Sequence, residues 1–465
     1  MNHTINIRNE IDFEFVVCGG GPAGIAAALS AARNGLKTVI IERTGCLGGV
    51  AVNAGVNFLL AGRKLHPETN EHVRVIGGIF DEITDRLIAE GKAIEPNDTD
   101  FDFNPFGWYP RMASGISFDE TSMKILLDKL CEECGVEIFY QTEIVDAIKE
   151  GEILKSVIVH NKSGFIKVNG EYFADCTGDA DVVYLAGCPH KQGREEDGLM
   201  TPASVEMHLD HVDGKELVEY QNKYKSPKFV EIIDRLKDEG IWDISSEIIV
   251  CMQLVEPDVF LINTNRLYGV CGTSGKSVSK ALMDGRKVNL KLYHMLREYF
   301  PGFKNAKIRK ICDTVGIRET RRIEGLTEIT IENALGGAKY PDTIAATTYN
   351  FDLPDPLKVS VDPMMGDVRN PKAEREHVVI RIPYRSLVPK ECDNLIVAGR
   401  CISCDRHVLG AARIMGPCMQ TGQAAGMAAA MAKENGCSFA NVDVEQLRQK
   451  LWDAGVINPD ELPFS

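Results

Sequence analysis

The stretch Phe15-Val-Val-Cys-Gly-Gly-Gly-Pro-Ala-Gly24 decides the fold of the N-terminal part of this chain. Its apolar first half predicts a β-strand, its glycines predict a tight turn, and the alanine-rich run that follows to Asn34 predicts a helix. A second apolar stretch, residues 38–41, leads into the acidic Glu42. The order of strand, glycine turn, helix and strand with a terminal acid is typical of a dinucleotide-binding unit.

Each glycine of the pattern Gly19-x-Gly21-x-x-Gly24 has its own physical task in such a unit. Gly19 permits the tight turn, Gly21 lets the backbone approach a pyrophosphate, and Gly24 lets the helix pack closely on the strand. Glu42 stands where a carboxylate accepts hydrogen bonds from the ribose hydroxyls of an adenosine. The alternative is a glycine-rich turn that serves helix packing alone. The strand, the helix and the acid around the pattern favour the dinucleotide.

The composition is that of a globular protein large enough for two or three domains. The chain has 465 residues, of which 44% are hydrophobic and 26% are charged, and its formal net charge is -15. Nucleic acids and anionic membranes both favour a basic protein surface, which this acidic chain lacks. We therefore expect a small-molecule substrate and neither a nucleic-acid nor a membrane partner.

The cysteines and the absence of apolar segments indicate a cellular compartment. The start of the sequence lacks the apolar core of a signal peptide, and no window approaches the ~18 apolar residues of a membrane helix. Fourteen cysteines in such a chain are interpreted as free thiols in a reducing cytoplasm. Cys131-x-x-Cys134 and Cys401-x-x-Cys404 are isolated pairs, interpreted as structural thiols. The expectation is a cytoplasmic protein without a metal site.

Helix and strand patterns continue the alternation after the first unit. Residues 71–91 and 119–134 carry apolar side chains at helical spacing, and residues 143–168 alternate like short strands. A further strand ends in Thr177-Gly178-Asp179. These patterns predict two helices, a β-meander and a strand that returns the chain to the glycine-rich edge of the first unit.

Residues 190–385 have a different sequence pattern, in which short apolar runs typical of strands alternate with polar runs typical of helices. This pattern predicts a domain that is inserted in the nucleotide-binding one and carries a substrate site. Within it, the stretch Gly316-Ile-Arg318-Glu-Thr-Arg321-Arg322 brings three arginines together. These arginines either bind a ligand or form a salt-bridged turn with Glu319 and Glu324, and both alternatives stay open.

The nucleotide-binding pattern returns near the end of the chain. An apolar run ends in Gly399-Arg400, and a long helix rich in small residues is predicted over residues 412–435. Small residues let such a helix lie close to a sheet or to a flat ring, and its first turn presents partial positive charge. We therefore expect this strand and helix to close the nucleotide-binding domain from the opposite end of the sequence.

A series of motifs thus runs along the chain from about residue 13 to residue 435. Its members are the glycine turn with Glu42, Leu47-Gly48-Gly49, Asp175-x-Thr-Gly-Asp-Ala-Asp, Gly316-x-Arg-Glu-x-Arg-Arg, Asn394-Leu-x-Val-Ala-Gly-Arg and Gly422-Gln-Ala-Ala-Gly. The series resembles the FAD-dependent oxidoreductases of the glutathione-reductase superfold, in particular a bacterial family related to the flavin subunit of heterodisulfide reductase. The resemblance implies an α/β glutathione-reductase-type FAD-binding fold, with a mixed, largely parallel sheet, a β-meander and an inserted α+β substrate domain.

The resemblance also implies a division into domains. An FAD-binding domain made of three segments is expected over residues 1–70, 112–189 and 386–440. The inserted substrate domain is expected over residues 71–111 and 190–385, and a C-terminal helix and tail over residues 441–465. In this arrangement the inserted part holds the substrate against the cofactor.

The resemblance further implies which residues hold FAD. The pyrophosphate is expected at Gly19, Gly21, Pro22, Ala23 and Gly24, and the adenosine at Glu42, Arg43 and Val145. A strand end is expected to cross the cofactor at Thr177, Gly178 and Asp179. The ribityl chain and the flavin are expected at Gly48, Gly49, Gly399 and Arg400, and at the start of the late helix with Arg413 and Gly416.

Only one dinucleotide unit is present in the sequence. The run Gly269-x-x-Gly272-x-x-Gly275 has the wrong spacing for a second one, and Cys46 stands alone where a disulfide reductase would carry a redox-active pair. The cluster cysteines of the heterodisulfide reductase subunit are also missing, which argues against an iron–sulfur relay. The interpretation is an enzyme with FAD as its single cofactor.

Flavin chemistry needs a substrate held against the ring and a group that donates or accepts a proton. The catalytic candidates are His407, Arg318, Arg321 and Tyr384. His407 is equally compatible with a structural, hydrogen-bonded role. Arg318 and Arg321 could bind a substrate carboxylate or neutralise the flavin. Tyr384 could act as an acid, although a core tyrosine is the favoured alternative.

The functional prediction is an FAD-dependent oxidoreductase that transfers a hydride between a small organic substrate and the flavin. We expect it to be a cytoplasmic homo-oligomer. The alternative is a flavin-holding electron-transfer subunit that works only with a redox partner protein. An FAD-containing RNA-modifying protein is a third reading, which the acidic composition disfavours. The substrate, the direction of the reaction and the partner that recycles the flavin stay open.

Overall fold

The computed structural model describes most of the 465-residue chain. The described residues are 6–66, 68–69, 71–96, 115–224, 228–362, 364, 366–367, 369 and 379–464. Residues 97–114, which belong mostly to the expected 71–111 segment of the substrate domain, therefore lie outside them.

The helices vary from single turns to long rods. They are α1 (Pro22–Arg33), α2 (Gly78–Ala89), α3 (Glu120–Cys134), α4 (Asp181–Leu185), α5 (Gly214–Tyr224), α6 (Val230–Asp238), α7 (Gly275–Tyr299), α8 (Ile331–Leu335), α9 (Arg406–Ala412), α10 (Met415–Asn435) and α11 (Val444–Asp453). None of these described helices combines the length and the apolar character that a membrane crossing requires.

The strands are numbered in chain order. In the first half they are β1 (Ile7–Cys18), β2 (Thr38–Ile41), β3 (Phe58–Leu59), β4 (Arg63–Leu65), β5 (His72–Arg74), β6 (Ala93–Ile94), β7 (Ile116–Phe118), β8 (Glu137–Phe139), β9 (Glu143–Glu150), β10 (Ile153–Asn161), β11 (Gly164–Asp175) and β12 (His190–Gln192). In the second half they are β13 (Met207–Asp210), β14 (Cys251–Gln253), β15 (Phe260–Ile262), β16 (Lys307–Ile311), β17 (Arg321–Ile323), β18 (Thr343–Thr347), β19 (Val361–Asp362), β20 (Gly366–Asp367), β21 (Ile380–Pro383) and β22 (Leu395–Val397).

A seven-stranded mixed sheet joins the beginning, the middle and the end of the chain. Strands β8, β2, β1, β11 and β22 run parallel, while β10 and β9 extend the sheet antiparallel beside the first half of β11. The antiparallel strands β9, β10 and β11 are the β-meander that the sequence predicts. The late strand β22 pairs with the end of β11, so the chain is a mixed α/β protein whose sheet is closed from the far end of the sequence.

The carboxyl ends of four parallel strands meet at one edge of this sheet. Cys18 at the end of β1 is in register with Ile41 of β2 and with Asp175 of β11, and Asp175 is in register with Val397 of β22. The loops after these strands carry the glycine turn, Glu42, the Thr177 stretch and Gly399. Ligands of open parallel sheets bind outside such strand ends.

The helix predicted over residues 71–91 begins later than the sequence pattern indicates. Residues 72–74 form β5, and α2 begins only at Gly78. Gly77 and Gly78 both have a positive φ, and a Cβ on Gly77 would lie 2.3 Å from the carbonyl oxygen of Gly455. The backbone therefore turns sharply at these glycines against the C-terminal segment, which prevents a continuous helix.

The late helix is also interrupted where the sequence predicts continuity. The short helix α9 ends at Ala412, Ile414 is extended, and α10 begins at Met415. Pro417 lies in the first turn of α10, where its missing N–H is tolerated. In a helix that ran on through residue 413, the carbonyl oxygen of residue 413 would lack the hydrogen bond that the N–H of residue 417 normally donates. The break places Arg413 between the two helices.

The small residues of α10 pack it against α1. A Cβ on Gly422 would lie 2.1 Å from the carbonyl oxygen of Ala23, and one on Gly426 would lie 2.1 Å from that of Ala27. The sequence suggests a sheet or a flat ring as the partner of these small residues. The structure places another helix there.

The inserted residues form a second sheet with its own core. Strands β14, β15, β13 and β16 are antiparallel in that order, and the helices α5, α6 and α7 contribute apolar side chains to the same core cluster. The division of the chain into an FAD-binding and a substrate domain at the stated boundaries stays a prediction. All fourteen cysteines lie among the described residues, and each is a free thiol.

Candidate functional site

The glycine turn after β1 is held by its own backbone. Gly19 has a φ of 101°, its N–H donates to the carbonyl oxygen of Ile41 at 2.8 Å, and a Cβ on it would lie 2.6 Å from the carbonyl oxygen of Cys176. A Cβ on Gly24 would lie only 1.8 Å from the carbonyl oxygen of Gly19. Both positions therefore require glycine, the first for the turn and the second for the packing of α1 on the turn.

Gly21 differs from these two glycines because it faces open space. The atom nearest to a Cβ built on it is the Cα of Gly49, 3.9 Å away. Gly21 is also the N-cap of α1, and no side chain caps that helix end. The free amides of a helix N-terminus bind anions, so this cradle fits a phosphate group of a dinucleotide.

Glu42 organises the loop beside this cradle. Its side chain is buried, with 5% exposure, and its Oε2 accepts a hydrogen bond from the N–H of Gly20 at 2.8 Å. Its Oε1 accepts from both the N–H and the hydroxyl of Thr44 at 2.7 Å. An ionised carboxylate has about four acceptor positions, so one is left for a ribose hydroxyl.

The loop after β11 is organised by a buried aspartate. Asp175 accepts hydrogen bonds from the N–H and the hydroxyl of Thr177 at 3.1 and 2.7 Å, and from the N–H of Val183 at 3.0 Å. Burial raises the pKa of Asp175 to about 6, with a further contribution from the charge of Asp181. This carboxylate shapes the Thr177-Gly178-Asp179 stretch without lining the cavity itself.

Asp179 joins this loop to the late strand and to the inserted part. Its Oδ1 accepts from Nη2 of Arg400 at 2.7 Å and from the Thr320 hydroxyl at 2.7 Å. Burial raises the pKa of Asp179, but the Arg400 guanidinium and the Thr320 hydroxyl outweigh burial and leave it below the ordinary value. Residues 179, 320 and 400 are thereby held together at the sheet edge.

A cavity of about 360 Å³ extends from the glycine turn into the inserted part. Most of the expected cofactor residues line it, namely Gly19, Gly21, Pro22, Ala23, Glu42, Arg43, Gly49, Thr177, Gly178, Asp179, Gly399, Arg400 and Arg413. The first turn of α10 also contributes to its wall through Met415 and Cys418.

Four expected cofactor residues lie outside this lining. Gly24 packs against the turn, and Gly48, whose φ is 108°, donates its N–H to the carbonyl oxygen of Gly20 at 2.9 Å. Gly416 faces Leu60 and Ile76 instead of the cavity. Val145 is exposed, and it is the preceding Glu143 and Ile144 that line the cavity.

The catalytic candidates are placed very differently from one another. Arg318 lines the cavity. Arg321 instead donates to Asp181 at 2.9 Å and stacks on the ring of Tyr184 at 4.1 Å. Arg322, the next arginine, is paired with Glu319.

The two remaining candidates also lie away from the cavity lining. Tyr384 is 1% exposed and donates its hydroxyl to the carbonyl oxygen of Phe439 at 2.9 Å, and burial raises its pKa well above the ordinary value. His407 is half-buried in α9. The placement of Tyr384 corresponds to the core tyrosine that the sequence left as an alternative.

The cavity also contains charged residues that the sequence analysis does not select. Glu206 and Arg266 line it together with Arg318. A signal was present for Glu206, because it is a single charge between the apolar Val205 and Met207. Arg266 follows an apolar strand in a short polar run, a position that many loops share. Among the described residues, no group of three or more His, Cys, Asp or Glu side chains is arranged to hold a metal ion.

The sheet, the glycine cradle and the cavity define the class: a dinucleotide-binding α/β protein with the site at the carboxyl ends of its parallel strands. The particular family follows from a family model described as FAD dependent oxidoreductase, which matches residues 14–451. The chain belongs to this family, and it is an FAD-dependent oxidoreductase.

Two curated relatives match this chain over a short segment. The mitochondrial dihydrolipoyl dehydrogenase of Caenorhabditis elegans is 48% identical over 50 residues, which are 11% of this chain and 10% of that protein. Dihydrolipoyl dehydrogenase 2 of Arabidopsis thaliana is 52% identical over 44 residues, 10% of this chain and 9% of that protein. The matched segment thus spans about a tenth of the length of these relatives.

Two solved structures match over nearly the whole chain at low identity. A geranylgeranyl bacteriochlorophyll reductase-like protein from Thermoplasma acidophilum has a TM-score of 0.44 and 11% identity, over 96% of this chain and 83% of that one. The p-nitrophenol 4-monooxygenase of Pseudomonas putida has a TM-score of 0.47 and 9% identity, over 96% of this chain and 87% of that one.

The residues present fit the cofactor that the family implies. When bound, FAD supplies the two-electron redox chemistry that side chains lack. The open cradle at Gly21 would hold the pyrophosphate, and the remaining acceptor position of Glu42 would hold the adenosine ribose. Arg400, fixed by Asp179, lies between this part of the cavity and the inserted residues.

Proposed function

We propose that this enzyme exchanges a hydride between FAD and a small organic substrate bound between the nucleotide-binding sheet and the inserted residues. The observation that carries the proposal is the continuity of one cavity. Its lining passes from Gly21 and Glu42, through Gly399, to Glu206 and Arg318 in the inserted part. A cofactor that reaches from the first turn toward α10 would leave the inserted end of the same cavity for a substrate.

Each part of the lining has a separate task in this proposal. Phe58, Ile248 and Val250 give the inserted end apolar walls that exclude water and orient an organic group. The first turn of α10 presents backbone amides near the cavity, and they stabilise negative charge at the flavin end. Arg318 supplies a fixed positive charge for the substrate.

The proposal includes the finer assignment of the fold. We propose a glutathione-reductase-type FAD-binding fold related to the flavin subunit of heterodisulfide reductase. Its support is the parallel order β8-β2-β1-β11-β22 with the meander β9–β11 attached, together with the motifs in the sequence. The division into an FAD-binding domain in three segments and an inserted substrate domain is part of the same proposal.

The setting of the enzyme is likewise proposed. We propose a cytoplasmic homo-oligomer that acts on a small molecule, without nucleic-acid or membrane partners. Support comes from the acidic composition and from the free thiols of all fourteen cysteines. Size-exclusion chromatography with light scattering measures the oligomeric state, and a monomer would contradict this part of the proposal.

The functional proposal is tested by anaerobic bleaching of the flavin absorption band of the purified protein. The compounds tested are hydroxy acids, amines, sugars and enoates. The enoates are added to enzyme whose flavin has been reduced beforehand. We expect heat denaturation to release FAD and at least one compound to change the redox state of the bound flavin. Protein without flavin after reconstitution would contradict the proposal. A flavin that responds only to a co-purifying redox protein would favour the electron-transfer subunit instead.

A further inference from the structure

Glu206 is a buried carboxylate that the proposed binding of FAD does not use. It immediately precedes β13, lines the cavity and is 1% exposed. Its Oε1 accepts a hydrogen bond from the hydroxyl of Ser204 at 2.8 Å. Its Oε2 has no hydrogen-bond partner among the described residues. A buried carboxylate oxygen without a partner is costly, and at a functional site it points to a missing ligand or proton.

Two guanidinium groups at the same end of the cavity share the amide oxygen of Asn263 as an acceptor, and their other acceptors are the backbone carbonyl oxygens of Pro202, Asn263 and Asn265. Arg318 donates to Oδ1 of Asn263 at 3.1 Å, and Arg266 donates to the same oxygen at 3.3 Å. Within the described part of the chain, neither arginine forms an ion pair with a carboxylate. Arg413, another arginine of the lining, donates to the backbone carbonyl oxygen of Asp352 at 2.9 Å and lies 3.8 Å from the carboxylate of the same residue.

Around Arg318, the positive charges of Arg266 and Arg413 oppose the carboxylates of Glu206 and Asp352. Burial lowers the pKa of Arg318, and the charges of Arg266 and Arg413 lower it further. Glu206 is close enough to act on Arg318 electrostatically but is not paired with it. Like charges whose acceptors are all neutral oxygens are stabilised by an anion between them, and a guanidinium fork matches a carboxylate in shape.

We propose that Arg266 and Arg318 bind the carboxylate of a small organic acid in this cavity, and that Glu206 takes up a proton when the acid binds. The inference rests on the proposed function for the presence of a substrate here, and it names the chemical class of that substrate. Two carboxylates in one enclosed site cannot both stay ionised at low cost, so the second keeps a proton. The protonated Oε2 of Glu206 then donates a hydrogen bond into the cavity.

The groups that face Glu206 are consistent with proton uptake. They are the hydroxyl of Ser204, the guanidinium groups of Arg266 and Arg318, and the thiol of Cys312. Burial raises the pKa of Glu206 to about 7 despite the opposing effect of Arg318 and Ser204. The positive charges of the two arginines lower the pKa of Glu206. An anion bound to them would offset these charges and raise this pKa further.

The test uses the purified holoenzyme and probes of matched shape: acetate, propionate and benzoate against acetamide, propionamide and benzamide. Calorimetry at about pH 8, in two buffers of different ionisation enthalpy, gives the affinity and the number of protons taken up. We expect at least one acid to bind about tenfold more tightly than its amide, because an ionic hydrogen bond is stronger than a neutral one. Uptake should approach one proton per site.

Variants separate the binding of the carboxylate by the arginines from the uptake of a proton by Glu206. Arg318→Gln and Arg266→Gln should each weaken binding of the acid by about tenfold, with the FAD content unchanged. Arg318→Lys keeps the charge and should retain part of the preference for the acid. Glu206→Gln should bind the acid without proton uptake. Arg286→Gln removes an exposed arginine paired with Asp313 and should change nothing.

Several outcomes would overturn the inference. Equal affinities for acids and amides would exclude a carboxylate site, and undiminished proton uptake by Glu206→Gln would remove Glu206 from it. Loss of FAD from folded Arg318→Gln would assign the arginines to the cofactor. A neutral compound that bleaches the flavin, while no acid binds, would overturn this inference and leave the proposed function standing. A protein that never binds FAD would overturn the proposed function instead.

Discussion

Glu206 is expected to make the folded protein less stable as the pH rises. Burial raises its pKa from 4.5 to about 7, so the folded state binds more protons than the unfolded chain between these values. The contribution of Glu206 to the free energy of unfolding is then fully present below about pH 4.5 and is lost as the pH rises through about 7. At about pH 8, Glu206→Gln should be more stable than the wild type by roughly 3.5 kcal/mol, because each of the roughly 2.5 pKa units between 4.5 and about 7 contributes about 1.4 kcal/mol.

Urea denaturation of the holoprotein with excess FAD, at about pH 4.5 and about pH 8, checks this prediction. The difference between variant and wild type should be small at the lower pH and large at the higher one. A difference that does not change with pH would show that the carboxylate is not destabilised by burial.

Glu42 is the second residue whose replacement gives a sharp prediction. Both of its carboxylate oxygens accept from backbone N–H groups, those of Gly20 and Thr44. In Glu42→Gln one of these donors would face the new amide NH₂, so the loop would lose a hydrogen bond and leave a buried donor unpaired. We expect the dissociation constant for FAD to rise by about tenfold or more.

Equilibrium dialysis or fluorescence titration of FAD measures this effect. The matched control is Glu132→Gln, because Glu132 is an exposed residue of α3 with the same charge. An unchanged FAD affinity in Glu42→Gln would remove Glu42 from the cofactor site.

At the scale of elements, the contact between α1 and α10 supports the cavity. Alanine favours a helix over glycine by up to about 1 kcal/mol, so Gly422→Ala would stabilise α10 if the helix stood alone. In the fold, the new Cβ would lie 2.1 Å from the carbonyl oxygen of Ala23, which is part of the cavity lining. We expect a loss of about 2 kcal/mol of stability from overpacking, together with weaker FAD binding.

Thermal and urea denaturation of Gly422→Ala check this expectation, with Gly275→Ala as the control. Gly275 begins α7, and a Cβ on it would have no neighbour within 4 Å. The control should be neutral or slightly stabilising. A Gly422→Ala protein as stable as the control would mean that the two helices are not in close contact.

The elements were predictable where local pattern and local geometry agree. The unit from β1 to Glu42 and the β-meander follow from apolar alternation and glycine turns, and they are present in the structure. The start of α2 was not predictable from periodicity, because the contact of Gly77 with the distant Gly455 decides it. The break before α10 was signalled by Pro417, which the small-residue pattern around it obscured.

At the scale of the molecule, the cavity combines residues from the whole sequence. The glycine turn, the Thr177 loop and Gly399 could be placed together in advance, because parallel strands end at one edge of the sheet. Glu206 and Arg266 could not be placed there: the lone charge of Glu206 in an apolar run marks a special residue but not its location, and only the packing of the inserted sheet brings both residues to Arg318. For the same reason Arg321, three residues along the chain from Arg318, donates to Asp181 and is not itself part of the cavity lining.

The central claim is that one cavity joins bound FAD to a substrate held by Arg318. Its most direct test is rapid-mixing anaerobic reduction of the wild type and Arg318→Gln by the acid among the tested compounds that bleaches the flavin fastest. FAD content is measured on the same samples. We predict full FAD content in both proteins and reduction of the variant slowed about tenfold or more at subsaturating acid. Equal reduction rates in the two proteins would contradict the account.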